Sequence, residues 1–200
     1  MRNFYKNLFL EEIGELNEKK NLLLHSCCGP CSSYVIEYLS EWFNITVLYY
    51  NPNISPYEEY EKRKMEQINL INNFEGVNFI DSEYDDVLYE EAIKGLEKER
   101  EGGSRCKKCF LFRLEKCAKI AKEYNFDYFC TTLTVSPYKN CKDINDIGSF
   151  LSNAYGVKWL YCDFKKDNGY KRSIELSHKY GLYRQNYCGC KYSKREVSTD

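Results

Sequence analysis

The sequence lacks the features that would direct the chain to a membrane or a secretory route. No window approaches 18 apolar residues, the length that a transmembrane helix requires. The first 20 residues mix acidic and basic side chains and lack the apolar core of a signal peptide. Net charge is nearly absent, at -1, which excludes a generally basic nucleic-acid coat but allows a local basic patch. We therefore expect a cytoplasmic protein with no membrane partner.

Internal repeats and low-complexity segments are also absent, and 200 residues are enough to bury a core. We expect one α/β domain over residues 1–200, with a helical lead-in over 1–20 and a basic C-terminal loop and tail over 181–200. Short runs of apolar and β-branched residues predict strands at 21–26, 45–50, 77–80, 127–132 and 157–162. Because helical patterns separate these runs, we predict a parallel Rossmann-like sheet flanked by helices. Ligands of such sheets bind at the carboxyl ends of the strands, where the cysteine-rich loops are expected.

Cysteine is unusually abundant, with 11 residues. In a reducing compartment this abundance favours metal binding or redox chemistry over a disulfide framework. Seven of the cysteines form three groups that suggest such chemistry. The groups are Cys27, Cys28 and Cys31, then Cys106 and Cys109, then Cys188 and Cys190. We predict that Cys117, Cys130 and Cys162 are small buried hydrophobic residues, and Cys141 stays undecided.

The first two cysteine groups open predicted helices, where backbone N–H groups and the helix dipole stabilise thiolates. Cys27, Cys28, Cys106 and Cys109 together offer four sulfurs, enough for a zinc ion or a [4Fe–4S] cluster, and their spacing does not choose between the metals. A thioredoxin-like interpretation of the first group leaves the second group without a role. Cys188 and Cys190 can close a strained, reducible disulfide.

Polar and aromatic residues follow the predicted strands and precede the C-terminal cysteines. RNA loops are recognised by aromatic stacking and hydrogen bonds to splayed bases, so these residues are candidates for substrate binding. They are Asn51, Asn53, Tyr57, Tyr60, Arg63, Ser136, Tyr138, Lys139, Tyr183, Arg184 and Gln185. Candidate phosphate contacts are Arg100, Arg105, Lys107, Lys108, Lys171, Arg172, Lys191, Lys194 and Arg195. His25 is interpreted as a structural residue, with a role as proton donor as the alternative.

Taken together, the motifs resemble those of the QueH family of epoxyqueuosine reductases. The resemblance runs from about residue 21 to 193 through LLLHSCCGPCSS, LYYNPNISPYEEYEKR, GGSRCKKCFLFRL, CTTLTVSPYKN and GLYRQNYCGCKYS, in that order. It implies the last step of queuosine synthesis, in which the epoxide oxygen of epoxyqueuosine at the tRNA wobble position is removed with two electrons and two protons.

The resemblance also implies the cofactor and the roles of the cysteines. Cys27, Cys28, Cys106 and Cys109 would hold a [4Fe–4S] cluster, without cobalamin, and Cys188 and Cys190 would be a redox-active pair. Cys31 matches a position that could contribute to a second iron ion. The implied partners are the anticodon loop of tRNA and an unidentified electron donor.

Two other functions compete with this one. A zinc-binding RNA-binding module without catalysis would use the same cysteines and basic loops, although it does not explain polar loops gathered on one rim of an α/β sheet. An iron–sulfur tRNA thiolase that uses ATP would share the layout. Its phosphate loop requires glycines that CCGPC, after the first strand, does not provide.

Overall fold

The structure, a computed structural model, describes residues 3–193. Five strands form one parallel sheet in the order β3-β2-β1-β4-β5. The strands are β1 (Lys20–His25), β2 (Phe43–Tyr49), β3 (Asn78–Asp81), β4 (Tyr128–Thr131) and β5 (Lys158–Trp159). Each overlaps a predicted strand, and the predicted α/β class with a parallel sheet is confirmed.

Seven α-helices flank the sheet within the described residues. They are α1 (Phe4–Gly14), α2 (Gly29–Leu39), α3 (Tyr57–Ile71), α4 (Asp86–Ala92), α5 (Ser104–Glu123), α6 (Cys141–Tyr155) and α7 (Gly169–Lys179). A 3₁₀ turn over Thr132–Val135 replaces the first part of the loop predicted after the fourth strand. Within residues 3–193 no helix is both long enough and apolar enough to cross a membrane.

Side chains that alternate along β1 pack into two cores, one on each face of the sheet. Leu22 and Leu24 join the core formed with α1, α2 and α3, whereas Leu23 joins the core formed with α5 and α6. This alternation is the two-residue period of a strand, and burial of both faces explains why β1 is a continuous apolar run. The strands are therefore fixed from both sides, and only the loops at their ends are free to build a site.

Buried cysteines contribute to these cores as predicted. Cys117 on α5 and Cys130 on β4 are fully buried, and Cys162 is 1% exposed. The undecided Cys141 lies at the start of α6, where its thiol donates to the carbonyl oxygen of Cys162 at 3.2 Å. Cys130 and Cys162 have their sulfurs 3.6 Å apart in the same core.

Candidate metal and redox site

The first cysteine group lies in the turn that connects β1 to α2, next to the end of β4. The backbone N–H of Cys27 donates to Thr132 Oγ1 at 3.4 Å, so the group lies between two neighbouring strands. Cys28 precedes the first residue of α2 in an extended conformation, and Pro30 occupies the first turn, where its missing N–H leaves no bond unmade. This is the crevice at the carboxyl ends of the strands in which α/β proteins bind ligands.

The sulfurs of Cys27, Cys28 and Cys31 all lie within 4.8 Å of one another. The Cys27 and Cys28 sulfurs are 3.7 Å apart. Hydrogen bonds with Cys28 and Cys31 hold the pKa of Cys27 well below its ordinary value. The same contact with Cys27 raises the pKa of Cys28 to about 12, and it also raises the pKa of Cys31. Cys27 is therefore the thiolate, and Cys28 and Cys31 are thiols that donate to it. A metal ion that binds all three sulfurs would displace the protons of those two thiols.

The second group, Cys106 and Cys109, lies in the first turns of α5. Cys106 is half-buried and accepts a hydrogen bond from the backbone N–H of Gly102 at 3.2 Å. Cys109 is 6% exposed. Burial raises the pKa of both thiols above the ordinary value. Their spacing of three residues places both on one face of the helix, as predicted.

The third group, Cys188 and Cys190, lies against the second. A hydrogen bond with Cys190, reinforced by the charges of Lys139 and Arg113, holds the pKa of Cys188 well below its ordinary value. The same hydrogen bond raises the pKa of Cys190. Both cysteines are free thiols in the structure. A thiolate beside a thiol is the reactive form of a dithiol pair.

A cleft brings the second and third groups together. Its walls carry four cysteines together with polar and aromatic side chains. These residues include Cys106, Cys109, Cys188 and Cys190, with Asn53, Tyr89, Tyr138, Lys139, Asn140 and Asp143. The cysteine wall of the cleft adjoins the first group, because the charges of Cys27 and Cys188 act on one another.

The loop that carries Cys188 and Cys190 is held by α3. The side chain of Arg63, 1% exposed, donates from Nη1 to the carbonyl oxygen of Cys188 at 3.3 Å and pairs with Glu59 at 2.7 Å. The carbonyl oxygen of Gly189 accepts from the backbone N–H of Ser55 at 3.0 Å. Gly189 adopts a φ of +105°, a conformation that side-chain-bearing residues rarely accept. The geometry of the third group therefore depends on contacts to residues more than 120 positions away in the chain.

Two cations lie among the sulfurs. Arg113, 1% exposed, is one turn beyond Cys109 on α5, with Nη1 3.9 Å from the Cys109 sulfur. Burial lowers its pKa, but the sulfurs of Cys109 and Cys27 outweigh that effect and raise it. Burial also works against the charge of Lys139, and the charges of Cys188 and Cys27 raise its pKa. Both cations therefore keep their charge beside the cysteines.

His25 is a structural residue in this arrangement. It is fully buried, Nδ1 is 2.8 Å from Thr131 Oγ1, and Nε2 is 3.1 Å from the carbonyl oxygen of Tyr50. Burial, aided by the charge of Arg113, lowers its pKa to about 3. The ring is neutral at pH 7, so Nε2–H donates to Tyr50 and Nδ1 accepts from Thr131. With both nitrogens occupied, it has no proton to offer the cleft.

The predicted substrate residues divide into two sets. Asn53, Tyr138 and Lys139 line the cleft, and Tyr138 is 80% exposed at its rim. Ser136 is half-buried in the loop that leads to them. Asn51 and Tyr60, by contrast, are buried and bonded within the protein. The Asn51 amide donates to the carbonyl oxygen of Ser26 at 2.8 Å, and the Tyr60 hydroxyl donates to that of Ser82 at 3.2 Å.

The remaining candidates for substrate contacts also have partners within the fold. Tyr57 packs its ring against Tyr60 and Tyr84. The backbone N–H of Tyr183 donates to Glu66, and Arg184 donates to Ser173 and Ser177 on α7. Gln185 is half-buried. These residues anchor the C-terminal segment on α3 and α7.

Many of the predicted phosphate contacts are already engaged. Arg105 is 2% exposed and donates to the carbonyl oxygen of Glu97 at 3.1 Å. Arg172, Lys107 and Lys191 form ion pairs, with Glu37, Asp143 and Glu90 respectively. Arg100, Lys108 and Lys171 are exposed, and Lys194 and Arg195 lie outside the described residues.

Arg113, Thr132 and Tyr89 lie at the site but were not among the residues predicted from the sequence. Arg113 could have been found, because it lies four residues after Cys109 and seven after Cys106 and so shares their helix face. Tyr89 is 2% exposed and contacts Cys109 through its hydroxyl. No local pattern marks Tyr89 or Thr132, since each is brought to the site by a long-range contact.

The donor set fits a sulfur-ligated metal centre. Three sulfurs lie close enough to share one ion, and further sulfurs line the adjoining cleft. The buried Arg113 and the half-buried Lys139 lie where a negatively charged centre would be stabilised. The structure confirms the predicted cysteine-rich site at the carboxyl end of β1, formed by Cys27, Cys28 and Cys31.

Comparison with known proteins agrees with this site. Residues 22–196 match the model of the family described as Epoxyqueuosine reductase QueH. Proteins of that name are 41% identical over 200 residues in Streptococcus pyogenes serotype M1 (96% of this chain, 78% of the relative) and 43% identical over 190 residues in Staphylococcus epidermidis (92% and 80%). A third, from Thermotoga maritima, is 37% identical over 180 residues (88% and 91%). The resemblance seen in the motifs is therefore confirmed, and this chain belongs to the epoxyqueuosine reductase QueH family of oxidoreductases.

Proposed function

We propose that this chain is an epoxyqueuosine reductase that removes the epoxide oxygen of epoxyqueuosine at the wobble position of tRNA. The observation that carries the proposal is a cleft lined by two separate cysteine motifs, next to a third cysteine group at the carboxyl end of β1. Relatives that match most of the chain carry the name of this activity. Cytoplasmic location, tRNA as partner and a separate electron donor belong to the same proposal.

The reaction balances with Cys188 and Cys190 as the source of two electrons. One proton comes from the Cys190 thiol and the other from solvent, because Cys188 is a thiolate. Both carbon–oxygen bonds of the epoxide break, a carbon–carbon double bond forms, and the oxygen leaves as water. The Cys188 thiolate and the Cys190 thiol become a disulfide, which the electron donor must reduce before the next turnover. The lowered pKa of Cys188 supplies the thiolate that such chemistry uses.

A [4Fe–4S] cluster held by Cys27, Cys28, Cys106 and Cys109 is the proposed cofactor. Such a centre supplies electrons at low potential, and a second iron, to which Cys31 would contribute, supplies a Lewis acid. The support for this set is the 3.7 Å distance between the Cys27 and Cys28 sulfurs, the two cysteines on one face of α5, and the charge of Arg113 beside Cys27 and Cys109.

Substrate recognition is proposed for the rim of the cleft. Tyr138 offers an exposed ring for stacking on a base, and Asn53 and Lys139 offer hydrogen-bond donors from the wall. Lys139 also lies close enough to Cys188 for its charge to favour the thiolate. Arg100 and Lys108 are exposed near the second cysteine group and are proposed to contact phosphates.

The test begins with anaerobic purification and analysis of iron, sulfide and zinc. About four irons and four sulfides per chain support the cluster, whereas about one zinc and no iron after reconstitution support the zinc-binding RNA module. Conversion of epoxyqueuosine to the alkene within tRNA, with a chemical reductant, then tests the reaction itself.

Cysteine variants separate the roles. Cys27→Ala and Cys109→Ala should lose iron, whereas Cys188→Ala should keep iron and lose turnover. Cys117→Ala is the matched control, because Cys117 lies on the same helix as Cys109 but is buried in the core away from the cleft. Full turnover by Cys188→Ala would remove the dithiol from the mechanism.

A further inference from the structure

Arg113 is a buried charge without a carboxylate partner. It is 1% exposed, and within residues 3–193 no carboxylate lies at ion-pair distance from its guanidinium. One terminal nitrogen donates to Asn51 Oδ1, the other lies 3.9 Å from the Cys109 sulfur, and Nε has no hydrogen-bond partner. Buried arginines are ordinarily paired, because an isolated charge is costly to remove from water.

The other buried arginines have more complete sets of hydrogen-bond or ion-pair partners than Arg113. Arg63 is equally buried and pairs with Glu59 at 2.7 Å. Arg105, at the start of α5, donates to two backbone carbonyl groups of the segment that precedes the helix. Arg113 has only one amide oxygen and one sulfur. The positive charge of Arg113 is therefore available to a negatively charged group that lies among the sulfurs.

The position of the guanidinium is fixed rather than incidental. Asn51 is fully buried, and its amide group also donates to the carbonyl oxygen of Ser26, directly before Cys27. Asn51 thus ties the charge on α5 to the loop at the end of β1. The sulfurs of Cys109, Cys27 and Cys188, one from each motif, are the groups that interact with that charge most strongly.

We propose that Arg113 is the fixed counter-charge of the cysteine-ligated centre, and that Asn51 holds it in place. The proposal rests on the proposed function, since it requires a redox-active metal centre on these cysteines. Reduction adds negative charge to such a centre. A positive charge fixed in a medium of low dielectric favours the reduced form, and its attraction is not replaced by water. Both residues are therefore positioning residues and do not bind the substrate.

The test is the midpoint potential of the anaerobically reconstituted protein, followed by electron paramagnetic resonance. Arg113→Gln should make reduction at least tenfold less favourable, a shift of about 59 mV to more negative potential for one electron. Arg113→Lys keeps the charge and should retain most of the wild-type potential. Lys119→Gln removes an exposed charge from the same helix, away from the site, and should leave the potential unchanged.

A second variant covers the outcome in which Arg113→Gln does not load iron. Asn51→Asp keeps the arginine but places a carboxylate where the amide oxygen accepts its hydrogen bond, and it should lower the potential in the same direction. A fully loaded Arg113→Gln protein with the wild-type potential would overturn the counter-charge role alone. A wild-type protein that takes up no iron would overturn this inference together with the proposed cofactor.

Discussion

Replacement of Gly189 by alanine is the sharpest test of how the Cys188–Cys190 loop is held. Gly189 has a φ of +105°, and a β-carbon there would lie 2.8 Å from Arg63 Nη1 and 3.2 Å from Ile54 Cγ1. Both neighbours are buried, at 1% exposure, so neither can move aside freely. The substitution therefore strains the backbone and also crowds the side chain that binds the Cys188 carbonyl group.

The size of the effect follows from that strain. A residue with a side chain in this region of conformational space costs about 1–3 kcal/mol. If the loop escapes the strain by leaving its position, the productive arrangement becomes about 5- to 150-fold rarer, because each 1.4 kcal/mol is a factor of ten. Turnover of epoxyqueuosine in tRNA should fall by that factor. Iron content should stay at the wild-type level, because the proposed ligands are not in this loop.

The assay compares single-turnover rates and iron content of Gly189→Ala with those of Gly156→Ala. Gly156 ends α6 at a φ of +72° with no heavy atom within 4 Å of the added carbon. This control should lose about 1–2 kcal/mol of unfolding free energy and keep wild-type turnover. Wild-type turnover by Gly189→Ala would refute the view that the loop must hold the observed conformation.

Three further predictions concern the surroundings of the site. Arg63→Ala should lower the unfolding free energy by about 3 kcal/mol, because a buried ion pair is broken. The variant should also speed alkylation of Cys188 by iodoacetamide, because the contact to the Cys188 carbonyl group is lost. An unchanged alkylation rate would contradict the view that Arg63 holds the loop. The pKa of His25 is lowered from 6.5 to about 3, so between those values the unfolded state binds one more proton. The unfolding free energy should therefore fall by about 1.4 kcal/mol for each pH unit as pH decreases through this range. Denaturant titrations at several pH values should show that the unfolding free energy of His25→Gln depends less steeply on pH. Gly148→Ala should cost about 1–3 kcal/mol in thermal or denaturant unfolding, because the added carbon overlaps the ring of Trp159, while iron content should not change.

Much of the fold could be predicted from the chain alone because the signals are local. The run Leu22–Leu24 reads as a buried strand whatever lies beside it, and helical periodicity after Cys106 predicts α5. Alternation of such segments then favours a parallel sheet, whose carboxyl ends collect the loops. The cysteine spacing predicted a metal or redox site for the same reason: each motif is complete within five residues.

The roles of single polar residues depended on partners far away in the chain. Asn51 and Arg63 follow the second strand as substrate ligands would, yet both are buried, one bonded to Arg113 and the other to Cys188. Arg172 resembles a phosphate ligand in the sequence but forms an ion pair with Glu37 of α2.

Sequence patterns therefore specified the strands, the helices and the cysteine groups, since hydrophobic periodicity and cysteine spacing act over a few residues. Tertiary contacts determined which polar side chains line the cleft and which are buried behind its wall. Burial of a polar group is tolerated only where its partner is supplied. Glu59 pairs with Arg63 within one helical turn, but the Cys188 carbonyl group that Arg63 binds lies 125 residues away, and Asn51 lies 62 residues from Arg113.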